Sequence, residues 1–106
     1  MRLVSRDFEA AVGACVDKGM TLLGQGTKEA VYWHIEHAFG LKREDAARRP
    51  ADFWKAVDSL FGSGSAVLER AIIKEMSSAF GLRAEAKTFG EAVSLAAQGA
   101  KRRRSG

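Results

Sequence analysis

The stretch Thr27–Leu41, TKEAVYWHIEHAFGL, decides the fold class. Its apolar residues Val31, Ile35, Ala38 and Phe39 recur at helical spacing, on one face of a helix rather than in the alternation of a strand. Thr27 is a candidate N-cap. Gly40 follows where a left-handed residue ends a helix, and Leu41 can supply the apolar contact that accompanies such an end. Val31 and Ile35 define the inward side, so Trp33 points elsewhere.

The same grammar repeats in both directions. Upstream, Phe8, Val12, Cys15, Val16, Gly19, Leu22 and Leu23 form a stripe, with Ser5 as cap, Asp7 and Glu9 in the first turn and Gly24 as stop. Downstream, Lys42–Arg49 reads as a loop or single turn. Pro50 suits a first helical position, where its missing N–H costs nothing. A helix over Asp52–Phe61 turns Phe53, Val57, Leu60 and Phe61 inward and stops at Gly62. A fourth, from Ser65, shows Leu68, Ile72, Met76, Ala79 and Phe80 and ends at Gly81. Thr88-Phe89-Gly90-Glu91 is a capping box, opening a fifth helix through Ala92, Val93, Leu95 and Ala96 to about Gln98. No alternating run predicts a strand.

The expected fold is all-α, a bundle of about five helices in one domain over residues 1–100. Two helical hairpins of one plan are suggested by an internal echo. Thr27…Phe39-Gly40-Leu41 matches Ser65…Phe80-Gly81-Leu82, with Lys42 and Arg83 following, and Phe53-x-x-Ala56-Val57 matches Phe89-x-x-Ala92-Val93. The N-terminal helix would pack against both.

Composition agrees. A chain of 106 residues with 46% apolar and 28% charged residues is long enough for one core without metal or disulfide staples. No stretch approaches 18 uncharged residues, so a membrane-spanning helix is excluded, and Arg6, Asp7 and Glu9 interrupt any signal peptide. The single cysteine, Cys15, forbids an internal disulfide and suits a reducing, cytoplasmic compartment. The net charge of +4 comes from 17 basic and 13 acidic residues; removing Lys101, Arg102, Arg103 and Arg104 leaves 13 of each. The excess rides on residues 101–106, expected as a basic, disordered tail.

No constellation points to catalysis. Cys15 lies among alanines without a base, and the acidic residues alternate with basic ones as on solvated helix faces. His34 and His37 are neighbours on a helix but lack further ligands, so no metal or cofactor is expected. Gly24-Gln25-Gly26-Thr27-Lys28 fails the order of a phosphate loop. The aromatics carry more. Tyr32, Trp33, Phe53 and Trp54 cannot all reach one small core, since adjacent helical residues diverge by about 100°. Tyr32, Trp33, His37 and Trp54 are therefore the expected partner surface, with a homodimer favoured. The alternative is a nucleic-acid-associated protein. In it Arg43, Arg48 and Arg49 join Lys101, Arg102, Arg103 and Arg104 in gripping phosphates without reading bases. A small-molecule sensor would instead need an apolar cavity between the hairpins.

One resemblance adds to this. Gly26, Ala30-Val31-Tyr32, His34-Ile35-Glu36, Phe39-Gly40-Leu41-Lys42, Pro50 with Phe53, Gly62-x-Gly64, Leu68-Glu69-Arg70 and Ile72-Ile73-Lys74-Glu75 stand in the order seen in a small helical family of archaea. Residues 24–81 thus resemble the nitrosopumilus-type output domain. The resemblance implies a helical, non-enzymatic signal-output module and carries over no site residues.

Overall fold

The computed structural model describes residues 5–82 and 84–105, with the side chains of 100–105 left aside. Helix α1 spans Arg6–Gly19, α2 Gln25–Phe39, α3 Asp45–Arg48, α4 Pro50–Phe61, α5 Ser65–Phe80 and α6 Phe89–Ser105. Short 3-10 turns, Met20–Leu23 and Gly62–Gly64, follow α1 and α4. No strand occurs among the described residues, and the fold is all-α with five long helices.

The expected end signals act where chemistry requires them. The Ser5 hydroxyl accepts the Phe8 N–H at 3.1 Å. Gly40 is left-handed (φ 69°), its N–H donates to Glu36 O, and Leu41 is buried behind it. Pro50 opens α4. At the start of α6 the Thr88 hydroxyl accepts the Glu91 N–H, and the Glu91 carboxylate accepts the Lys87 N–H, one residue earlier than a standard capping box. A further carboxylate, Glu69 on α5, accepts the Phe89 N–H at 2.8 Å. Glu69 is therefore a tie between α5 and α6 rather than part of a solvated face.

Helix α1 lies most extensively on α5, with α3 beside it; α6 packs on α5 and α4; α2 sits at the edge, against α4 and the first 3-10 turn. Helices α1 and α5 approach closely at Gly19, where a methyl group would stand 2.4 Å from Ile72 Cγ1. One core joins Val12, Val16, Met20, Ile35, Phe53, Val57, Ile72, Met76 and Phe89. The two halves of the echo meet at its centre: Phe53 and Phe89 are fully buried, ring centroids 6.2 Å apart. The radius of gyration, 13.2 Å, is that of a close-packed domain of about 100 residues.

Several expectations change. Helix α2 begins at Gln25, so Thr27 is an exposed residue within it and not its cap. Leu22, Phe39 and Leu60, expected inward, are exposed at 67%, 46% and 36%. The chain turns at the 3-10 segment, at Gly40 and at Gly62, and at such ends helical periodicity no longer says which way a side chain faces. Helix α6 continues past Gln98 to Ser105. Ala100 and the lysine and arginines after it are strong helix formers, and basic residues suit the negative end of the helix dipole. The echo's Arg83, and the expected contacts of the Lys101, Arg102, Arg103 and Arg104 side chains, lie outside what is described.

Candidate functional site

The outer face of α2 stands apart from the rest of the surface. Positions 26, 30, 33, 37 and 40 are all exposed, whereas Val31 and Ile35 on the opposite side are buried. Trp33 keeps 61% of its surface in water. Its indole stacks on the His37 imidazole, centroids 4.0 Å apart and planes 20° from parallel, while His37 Nδ1 lies 2.8 Å from the Trp33 carbonyl oxygen. That pairing holds the indole flat along the helix. His34 meets Phe39 edge-on at 6.3 Å.

The other two expected surface aromatics are turned away. Trp54 is half-buried against Phe89, centroids 5.4 Å apart, because α6 crosses α4 at that level. Tyr32 is half-buried, and its hydroxyl is buried beside Asp17 without a hydrogen bond of good geometry. Burial foremost, then the charge of Asp17, pushes the Tyr32 hydroxyl well above the ordinary tyrosine range.

Around Tyr32 runs a polar belt that anchors α2. Lys28 is buried and its ammonium donates to Asp17 of α1 at 3.0 Å; Arg43 reaches the other Asp17 oxygen at 3.6 Å and lies against Gly13. A second belt ties α1 to α3: Arg48 donates through two nitrogens to the buried Glu9 carboxylate, at 2.7 and 3.2 Å, and lies 3.7 Å from Asp45. Arg49 pairs with Asp52 at 3.0 Å. The three arginines expected to grip phosphates are thus each engaged by a carboxylate of the chain itself. For Arg43 and Arg48 the carboxylates Asp17 and Glu9 are distant in the chain, Glu9 by 39 positions and so beyond the reach of any local pattern, whereas Asp52 stands only three positions from Arg49.

Elsewhere the chemistry is sparse. Burial, with Glu75 adding to it, pushes the Cys15 thiol up, which disfavours a reactive thiolate. Among the described residues no three His, Cys, Asp or Glu side chains stand close enough to hold a metal ion, and no helix is long and apolar enough to cross a membrane. A groove of about 600 Å³ lies between α4, α5 and the start of α6, lined by Trp54, Asp58, Ser65, Glu69 and Thr88. It is open to solvent, and its carboxylates are already used: Asp58 accepts the Ser65 hydroxyl at 2.5 Å, and Glu69 the Phe89 N–H.

Compared with known proteins, the chain matches no family model, no curated protein and no solved structure.

Proposed function

We propose that the chain is a non-enzymatic interaction module of the regulatory or signal-output kind, acting in the cytoplasm as a homodimer through the outer face of α2. The observation that carries this reading is Trp33, exposed at 61% and stacked flat on His37 on the side away from the core. A large aromatic immobilised in water is the usual centre of a protein interface, since its ordering cost is already met before binding. The resemblance of residues 24–81 to an archaeal output domain supports the signalling part, and the lone buried Cys15 supports a reducing compartment. Light scattering across a concentration series tests the reading: a concentration-dependent rise in mass, abolished by Trp33→Ala, is expected. A monomer at every concentration would remove it.

A second reading, nucleic-acid association, keeps one favourable observation. The α6 backbone continues through Ser105, so the basic residues at 101–104 are spread around one turn of helix. With Arg43, Arg48 and Arg49 engaged, the reading now rests on those four. Duplex DNA and RNA binding that weakens with salt and is lost on deleting residues 101–106 is its expected signature; binding unaffected by the deletion would reject it.

A further inference from the structure

We propose, building on the self-association above, that two copies of the chain pair antiparallel along α2 about a two-fold axis, with Trp33 of each copy seated on Ala30 of the other and His37 on Gly26. The exposed positions Gly26, Ala30, Trp33, His37 and Gly40 follow one another at intervals of four and three, the spacing of a helix–helix seam. In the same count Val31, Tyr32 and Ile35 fall on the far side, where the protein's own core takes them. Among the described residues, the helix therefore has a second face with no other element of the chain upon it.

Symmetry selects the register. In a two-fold antiparallel pair, if residue i meets residue j then j meets i, and the numbers of facing residues add to a constant. Ala30 with Trp33 and Gly26 with His37 share the same total, 63. Four successive layers then each hold one ring and one residue with little or no side chain. Parallel pairing would set Trp33 on Trp33 and Gly26 on Gly26, overfilled in one layer and empty in another, and both are penalised in close packing.

The comparison with α5 sets apart the two ring positions of the seam. When α2 and α5 are aligned on their terminal glycines, Gly40 and Gly81, the positions of Trp33 and His37 become Lys74 and Ser78, while that of Gly26 becomes the exposed Val67. Lys74 is exposed and polar, as an outward position requires of a helix facing only water.

Area sets the strength. Antiparallel pairing brings the C-terminal end of α2 beside the start of the second α2, where the preceding turn carries Leu22; Phe39 lies about 120° around the helix from Trp33, on the side of Ile35, and stays outside the seam. Leu22 and Trp33 are two of the large apolar side chains left exposed among the described residues. With the smaller seam residues they offer about 400 Å² per copy, or about 800 Å² in all, the size of a weak, transient contact. The pair is accordingly a reversible one.

The experiment uses the full chain and sedimentation or light scattering across concentration. Trp33→Ala and Ala30→Trp should each raise the dimer dissociation constant by about 30-fold or more, the loss expected of an interface centre. The double variant Ala30→Trp/Trp33→Ala, which exchanges ring and methyl within the layer, should recover most of the affinity. Ala30 is exposed, so Ala30→Trp is compatible with the fold, and circular dichroism verifies each variant. If Trp33→Ala dissociates the pair while Ala30→Trp does not, or if the double variant fails to recover, the register is overturned and the α2 interface stands. If the unsubstituted chain is monomeric throughout, both fall.

Discussion

The Tyr32 hydroxyl is buried beside the Asp17 carboxylate and makes no hydrogen bond of good geometry. Removing such a group while keeping the ring is neutral or favourable, because an unsatisfied buried hydroxyl costs about 1–3 kcal/mol. Tyr32→Phe should therefore melt no lower than the parent at neutral pH. The sign with pH follows from the raised pKa. An acid whose folded pKa lies above its unfolded value, about 10 for tyrosine, keeps its full contribution below that value. It then loses the contribution as the unfolded state ionises. Chemical denaturation at successive pH values should show the parent losing stability above about pH 10 faster than Tyr32→Phe; parallel curves would contradict the burial of this hydroxyl. Tyr32 also shows what one-dimensional reading misses. Its side chain was legible as surplus to the core stripe, but its neighbours Asp17 and Arg43 come from other segments. So do the partners of Arg48 and Lys28, and Trp54 is drawn inward by a ring 35 positions later in the chain, Phe89.

At the scale of elements, helix ends were the most legible feature. Ser5, Gly40 and Thr88 each act through a bond made within a few residues of themselves, and Pro50 through its own fixed backbone angle. Relations between helices were not, because they depend on close approach and on side chains meeting from afar. Gly19 is the sharpest case. It read as one member of an apolar stripe, yet it is the point where α1 lies directly on α5. Gly19→Ala should destabilise by about 1–3 kcal/mol, the range for overfilling a packed site, despite the better helix propensity of alanine. A calorimetric melt checks this, and an unchanged or higher melting temperature would show that Ile72 gives way freely. Glu69→Ala removes an acceptor from the first N–H of α6 and should cost about 1 kcal/mol, as loss of a helix cap does. Amide exchange at Phe89 should quicken with it. Exchange left unchanged would mean that Thr88 and Glu91 suffice.

For the whole molecule, charge distinguishes the two kinds of partner by sign. Glu29 and Glu36 flank the α2 seam on one side and are exposed. In an antiparallel pair that flank meets its own copy, so like charges face each other and added salt relieves them. Self-association should therefore tighten modestly as salt rises. Contact between residues 101–104 and phosphates must instead weaken. Mass and nucleic-acid binding measured over one salt series separate the two in a single preparation. A dimer that loosens with salt would place oppositely charged groups, rather than the Glu29 and Glu36 flank, at the contact.

The position of α2 at the margin has a consequence for motion. Most of its contacts with the body run through α4 and the turn before it, and only Lys28, Val31 and Ile35 are buried along its length. Proteins open in cooperative pieces whose cost follows the contacts each piece must give up. The amide protons of α2 should then exchange with deuterium earlier than those of α1 and α5, which cover one another. A second copy lying along the outer face would slow α2 selectively, so an exchange map at low and high concentration would read the docking surface residue by residue. The segment that recognises would also be the one that yields first.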